Sequence, residues 1–468
     1  MQKNNLLWLI PTLAISSCSL FSHPYTKPDL DVPSQWSKTD EDLDMKAISK
    51  PESLAQMQWW SQFNDPTLNK VIESAVANNS DIKIAMANLA NSQAQLKQVN
   101  LSWLPTVPLL LGFSQMPVLN NPGYFLGLFP TYTINIFSQI KAQDQAKHQL
   151  EVSKYVVDSA RLTVIGQTAG SYFALASQQR QLQLTQDLLK IYKQREVAYR
   201  KQYELGLIDA KTVSNASSDI MQTEGQISLI ENNISVSQNA LRYLTNQNPG
   251  KINLATDFDK LNANSVTPGS LPVTVLANRP DVQAAEEQLK ASNDGVGLAY
   301  SNLLPSLQID DFLAQTSSNL NNNEAGSMNM AEAYASVPLL NPKAYGQIDS
   351  SKAVYSKDYY AYEQVVRKAL RDVENDLSAH RLYAKRYDDF AHANLSLQQG
   401  CNNEIAQFQN GLSNYTTVLE CQVGLTQASI ALVQSKLEKL TTIVALYQDL
   451  GGGYHAIGYP TGKNRQKN

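Results

Sequence analysis

Asn278-Arg279-Pro280-Asp281-Val282-Gln283-Ala284-Ala285-Glu286 is the stretch that decides the reading of this 468-residue chain, because much of it occurs twice. Asn78, Asp81, Ile82, Ala85, Leu89 and Pro105 match Asn278, Asp281, Val282, Ala285, Leu289 and Pro305 at a shift of 200. Farther on, Tyr203, Gly206, Leu207, Thr212 and Val213 match Phe408, Gly411, Leu412, Thr417 and Val418 at a shift of 205. A repeat this long exceeds any solenoid unit and points to two fused copies of one module related by pseudo-symmetry. Two such halves share an axis, which suggests a ring or tube. Physically the nonapeptide is a helix start, with proline and acids in the first turn where unpaired N–H groups and the helix dipole favour them.

Each predicted helix ends at the matching proline, and a hairpin follows. Leu109–Phe113, a turn-rich segment with Asn120, Asn121, Pro122 and Gly123, and the alternating run Thr131–Phe137 predict strands at about 106–116 and 130–138. In the second copy Leu307–Leu313, the Asn- and Ser-rich stretch Thr316–Asn329, and Tyr334–Leu340 predict strands at about 306–315 and 331–340. Strands of this size match the length that crosses a bilayer when tilted. Four of them cannot close a barrel, so closure requires several chains.

Between the hairpins lie long helical patterns. No proline occurs from Ser138 to Leu205, a stretch that as one helix would reach about 100 Å. Leu150, Val157 and Val164, then Leu175, Leu182 and Leu189, form a heptad seam with one stutter. Val213, Ile220, Ile227, Ile234 and Leu241 continue it on the next helix. The second copy has Leu370, Leu377, Ala384 and Ala391, then Val418, Leu425, Leu432 and Leu446 interrupted by Lys439. Gly206 and Gly411 stand where each long helix hands over to the next, as helix-ending glycines do. The expected fold class is mainly α, with antiparallel coiled-coil helices and membrane β-hairpins.

Lys3 and the apolar stretch Leu6–Ile15 read as a short secretory signal, and Ser16-Ser17-Cys18 resembles the bacterial lipobox, whose cysteine is lipidated. Ser19, not Asp, follows Cys18, which by resemblance to lipoprotein sorting rules favours the outer membrane. Net charge is −4, so no basic field invites nucleic acid. Beyond the signal no apolar run is long enough for a transmembrane helix, which leaves a closed barrel as the way through a bilayer. Cys401 and Cys421 match no metal or redox spacing. Two packed thiols are the first expectation, with a disulfide open in an oxidising compartment. No nucleophile elbow, phosphate loop or zinc-protease motif is present, and the five histidines are scattered, so neither catalysis, cofactor nor metal is expected.

Taken together, the Arg-Pro-Asp-Val motif at Arg279–Val282, Gly297, Ala299, Leu304-Pro305, Trp59-Trp60 with Phe63, and the segment Phe408, Gly411, Asn414, Tyr415, Leu419-Glu420 resemble the TolC family of outer-membrane efflux ducts, in its lipidated, OprM-like branch. The resemblance covers essentially the whole mature chain. It implies a homotrimer whose chains give four strands each to a twelve-stranded barrel and their long helices to a periplasmic tube. It further implies an inner-membrane pump and a periplasmic adaptor (membrane fusion protein) as partners, outer-membrane lipid around the barrel, and drugs or small amphipathic compounds as cargo. By the same resemblance the closed end lies near the two helix turns. Glu420 is there the first candidate for a constriction, with Thr416, Tyr415 and Phe408 beside it and Asp209 and Thr212 from the first half. Ser138, Thr212 and Val423 depart from residues common in the family, glycine, an acid and arginine respectively.

The expected division is signal peptide 1–17, lipidated extended tether 18–56, first repeat 57–248, connector 249–272, second repeat 273–453 and a flexible tail 454–468. Two rival functions remain at this stage: a protein-secretion duct of the same architecture, and a periplasmic adaptor or tether lipoprotein without a pore. The paired hairpins discriminate against the second, since an adaptor has no use for amphipathic strands of membrane length.

Overall fold

The computed structural model describes residues 25–33, 36, 52–114, 123–252, 254, 256–263, 276, 279–317 and 326–458. The signal peptide, Cys18 and most of the expected tether lie outside these residues. Helices dominate: α1 (Pro66–Asn78), α2 (Ser80–Leu101), α3 (Ile136–Glu204), α4 (Ala210–Leu244), α5 (Pro280–Ser301), α6 (Pro342–Gln409) and α7 (Tyr415–Asp449). The strands are β1 (Leu109–Ser114), β2 (Gly123–Leu128), β3 (Thr131–Ile134), β4 (Ser306–Ser317) and β5 (Gly326–Ser336). No described helix is long and apolar enough to cross a membrane. The chain forms two compact units, one of residues 1–31, 87–155 and 283–365, the other of 32–86, 156–282 and 366–468.

The first unit holds an antiparallel sheet ordered β1, then β2 and β3 as successive parts of one line, then β4 and β5. The register explains why five segments make four strands. Leu128 stands opposite Leu313 and Thr131 opposite Asp310, so the pairing runs on through Pro130, which cannot donate to the ladder but still accepts from Asp311 N at 2.9 Å. Pro108 interrupts β1 in the same way, with Phe129 N bonded to its carbonyl and Thr106 bridged to Thr131.

The return strands end earlier than the sequence predicts. The first was expected at 130–138; it begins at Gly123 and ends at Ile134, because Asn135 accepts from Ser138 N at 3.0 Å and starts α3. Ile136 and Phe137 therefore belong to the helix. The second, expected at 331–340, occupies Gly326–Ser336; Pro338 cannot extend the ladder, and Asn341 with Pro342 opens α6. One face of the sheet is a largely apolar band, with Asp311 set between Ile309 and Leu313. Leu109, Leu111 and Phe113 stand opposite Leu128, Leu126 and Tyr124, and Leu307, Ile309 and Leu313 share that side. These side chains are exposed in the single chain, a patch that on a water-soluble surface would mark an interface.

The second unit has its own core. Trp59, Trp60 and Phe63 are buried; Trp59 stacks on Tyr447 at 5.1 Å, and Phe63 meets Phe173 edge-on at 4.8 Å. Asp65 caps α1 through Thr67 N and Leu68 N, and its other oxygen accepts from Tyr172 and Thr256. The residues from Tyr454, expected as a loose tail, are tied down at their start: Arg161 Nε donates to the Tyr454 carbonyl at 2.8 Å and His455 contacts Asp158. Residues Glu52–Gln56, expected within an extended tether, form a short helix.

The pseudo-symmetry has a chemical counterpart. Asn79, buried, accepts from Asp81 N and Ile82 N at the start of α2, and its amide donates to the Leu244 carbonyl at the end of α4. In the second copy Arg279, 6% exposed, grips Asp281 with Nε and Nη2 at 3.0 and 2.8 Å and donates to the Asp449 carbonyl at 2.6 Å. Leu244 and Asp449 are themselves related by the 205 shift. One linkage, helix start to helix end, is thus made by an amide in one half and a guanidinium in the other.

Coiled-coil packing refines the predicted seams. On α4 the line Ala216, Thr223, Ser237 and Leu244 is buried alongside the predicted heptad positions; small and hydroxyl side chains there escaped a search for large apolar residues. On α6 the buried line is Val366, Val373 and His380, beside the half-buried Leu370, Leu377, Ala384 and Ala391. Lys439 does not break the α7 seam: it is buried with its ammonium 4.9 Å from the centre of the Tyr387 ring. Lys436, one turn before, donates to the carbonyls of Phe258 and Asp259, and burial lowers its pKa to about 8.

Candidate functional site

The two helix turns are built alike. Gly206 and Gly411 adopt φ of +71° and +72°, a left-handed conformation that L side chains rarely take. Leu207 N bonds back to Gln202 O and Gly206 N to Tyr203 O; Leu412 N and Gly411 N do the same to Gln407 O and Phe408 O. These are the paired bonds of a Schellman cap, which satisfy the last carbonyls of a helix. The following helices are capped by Asp209, accepting from Thr212 N and Thr212 Oγ1, and by Asn414, accepting from Thr417 N at 2.9 Å.

These caps sort the candidate residues. Asp209 and Thr212 bond to each other, and the Thr212 hydroxyl and amide hold the Asp209 carboxyl below its ordinary range. Thr416 donates to Asn414 Oδ1 at 2.5 Å and so belongs to the α7 cap. Phe408 and Tyr415 face each other across the second turn with ring centres 5.6 Å apart. Glu420 reaches the other hairpin: its Oε1 accepts from the Tyr199 hydroxyl of α3 at 2.8 Å. Among the described residues no Lys or Arg forms a salt bridge with it, so the ordinary surface ion pair is not what holds this acid in place.

Tyr199 is one of a group the sequence reading missed. Arg195, one turn before, is paired with Asp219 of α4 and lies over the Tyr192 ring at 4.6 Å and the Tyr199 ring at 5.9 Å. Tyr192 accepts from Gln427 of α7 at 3.1 Å and packs with Leu188 and Val423. Val423 thus serves an apolar contact, and the nearby cation comes from α3. Burial and the Glu420 contact raise the Tyr199 pKa, so its hydroxyl stays a donor at physiological pH. The visible signal was Tyr192, Arg195 and Tyr199 at helical spacing, which aligns one face.

Below the second turn Cys401 and Cys421 form a disulfide, Cα–Cα 5.4 Å, joining α6 to α7. The expectation of two packed thiols is therefore corrected: the two positions lie equally far from Gly411, and an antiparallel hairpin brings such positions face to face. Among the described residues no group of His, Cys, Asp and Glu is arranged to hold a metal ion. The arrangement ties α3 to α7 through the Tyr199–Glu420 and Gln427–Tyr192 hydrogen bonds, and to α4 through the Arg195–Asp219 pair.

Comparison with known proteins agrees with this geometry. Residues 71–247 and 271–452 each match the outer membrane efflux protein family, once per repeat. The toluene efflux pump outer membrane protein TtgC of Pseudomonas putida is 25% identical over 97% of this chain and 96% of its own length. The cation efflux system protein CusC of Escherichia coli is 23% identical over 97% and 100%. The open-state MtrE outer membrane channel of Neisseria gonorrhoeae superposes with a TM-score of 0.80 at 21% identity, covering 93% of this chain and 98% of that one. The two hairpins, the capped helix turns and the doubled family match lead to one conclusion: this chain belongs to the outer membrane efflux protein family.

Proposed function

We propose that the protein is a homotrimeric, passive outer-membrane conduit for small amphipathic compounds. The carrying observation is the four-stranded sheet with one largely apolar face and two unpaired edges, β1 and β5. Open edges are not tolerated in lipid, and three chains supply twelve strands around a water-filled lumen. The apolar band faces lipid, and lipid chains on Cys18 add a second anchor. A periplasmic adaptor and an inner-membrane pump supply the energy. Exposed Leu205, Leu207 and Leu412 at the two helix turns offer the adaptor an apolar docking surface. Relatives named for toluene and solvent efflux support small apolar cargo.

In this reading Glu420 forms a ring of three carboxylates near the closed end, and Tyr199 latches it. Planar-bilayer recording tests both roles. Glu420→Gln is expected to lose cation preference and conduct more readily; Tyr199→Phe, which removes only the latch, is expected to conduct more readily with its selectivity kept. Unchanged conductance and selectivity in both would remove this pair from the gate.

A further inference from the structure

The second face of the sheet has a composition of its own. Register places Asp310 directly opposite Glu332, and Phe312 opposite Met330, on the side away from the apolar band. Phe129 and Phe125 lie beside Phe312, with ring centres 5.9 and 6.4 Å away. Two like charges facing each other across a ladder destabilise it. Nothing in the hairpins offsets them: no Lys or Arg occurs from residue 103 to 140 or from 291 to 342. Gln308 donates to Asp310 at 3.3 Å, a neutral contact that leaves the charge uncompensated. An uncompensated acidic pair beside a cluster of aromatic rings is complementary to a ligand that is both cationic and flat.

We infer that this face is a binding station for organic cations with an aromatic body, the charge held by Asp310 and Glu332 and the ring by Phe312 and its neighbours. The inference rests on the conduit reading, in which this face lines the lumen and threefold symmetry repeats the station three times. Within the amphipathic cargo class it adds a preference for positive charge. The aromatic layer supplies stacking and cation–π attraction, and the carboxylates supply the sign.

The test is fluorescence polarisation of rhodamine 6G, a flat cation, titrated with the full-length protein in detergent, against fluorescein, an anion of similar size. The wild type is expected to bind rhodamine 6G at least tenfold more tightly than fluorescein. Phe312→Ala and Glu332→Gln are each expected to weaken rhodamine 6G binding about tenfold, the size of one desolvated cation–π or charge contact. Phe312→Leu, which keeps bulk without the ring, should weaken it similarly and covers the case in which the alanine variant fails to fold. Equal binding of the two dyes, or unchanged rhodamine binding in assembled Phe312→Leu and Glu332→Gln, overturns the inference. The same samples run on a sizing column report assembly: a protein that never forms a trimer sinks the conduit reading, whereas an assembled trimer with no dye preference sinks only the station.

Discussion

Arg279→Ala is expected to destabilise the protein by about 2–3 kcal/mol, less than the cost of breaking a fully buried charge pair, because the Asp281 and Asp449 carboxylates left behind keep part of their solvent. The guanidinium is buried, and burial alone works against its charge; the bonds to Asp281 and the nearby Asp449 and Asp372 carboxylates more than offset that. Removing it strands Asp281 and the end of α7. Arg279→Lys should recover only part of the loss, since one ammonium cannot make the bidentate contact and reach Asp449 as well. Melting temperatures of the purified variants decide this, and an alanine variant within about 1 kcal/mol of wild type would show the linkage to be dispensable.

The same corner carries a pH signature. Burial, then the neighbouring Asp449 and Asp372, push the pKa of Asp376 up to about 8. Its unfolded value lies near 3.9, so between those limits the folded state holds a proton that the unfolded state has released. Stability from this group is therefore greatest at low pH, falls as pH rises from about 4 to about 8, and is level above. Discounted for the group's partial exposure to solvent, the fall is about 2–3 kcal/mol. Asp376→Asn should flatten it, which melting curves at either end of that window would reveal.

Removing the disulfide is the second large effect. Cys401→Ser opens a covalent loop spanning 20 residues, worth about 3 kcal/mol on the chain-entropy account. The effect should be local. The positions related by the 205 shift are Glu196 and Ala216, so the first hairpin has no such link. Hydrogen exchange is expected to quicken across 402–420 in the variant, or in reduced wild type, while 197–215 stays as it was. Equal exchange in oxidised and reduced wild type would mean that the link does not restrain the turn.

Much of this architecture was legible from residues alone, for identifiable reasons. The duplication is visible because helix starts, proline stops and turn glycines are each dictated by backbone chemistry, and such positions tolerate few alternatives. Gly206 and Gly411 announce their turns because a left-handed cap needs them. What stayed hidden depends on partners brought from elsewhere in the chain. Tyr199 and Arg195 look like ordinary helix-surface residues until α4 and α7 place Asp219 and Glu420 beside them. Asp209, Thr212 and Thr416 drew attention as polar residues near a turn, yet their bonds are those of helix caps. The return strands were misplaced because alternation in Thr131–Phe137 continues through Asn135, and only the side-chain cap at that residue shows where the strand stops. Phe312, Asp310 and Glu332 acquire meaning only through register, which sequence spacing does not reveal.

Closure of the sheet by neighbouring chains is what makes a conduit of this protein. Mass determination of the full-length protein in detergent, with the bound detergent subtracted, measures this. Three chains of 51.8 kDa each, adjusted for any cleavage or lipidation, are the expected particle. A monomer that is stable and membrane-inserted, with β1 and β5 both unpaired, would contradict it.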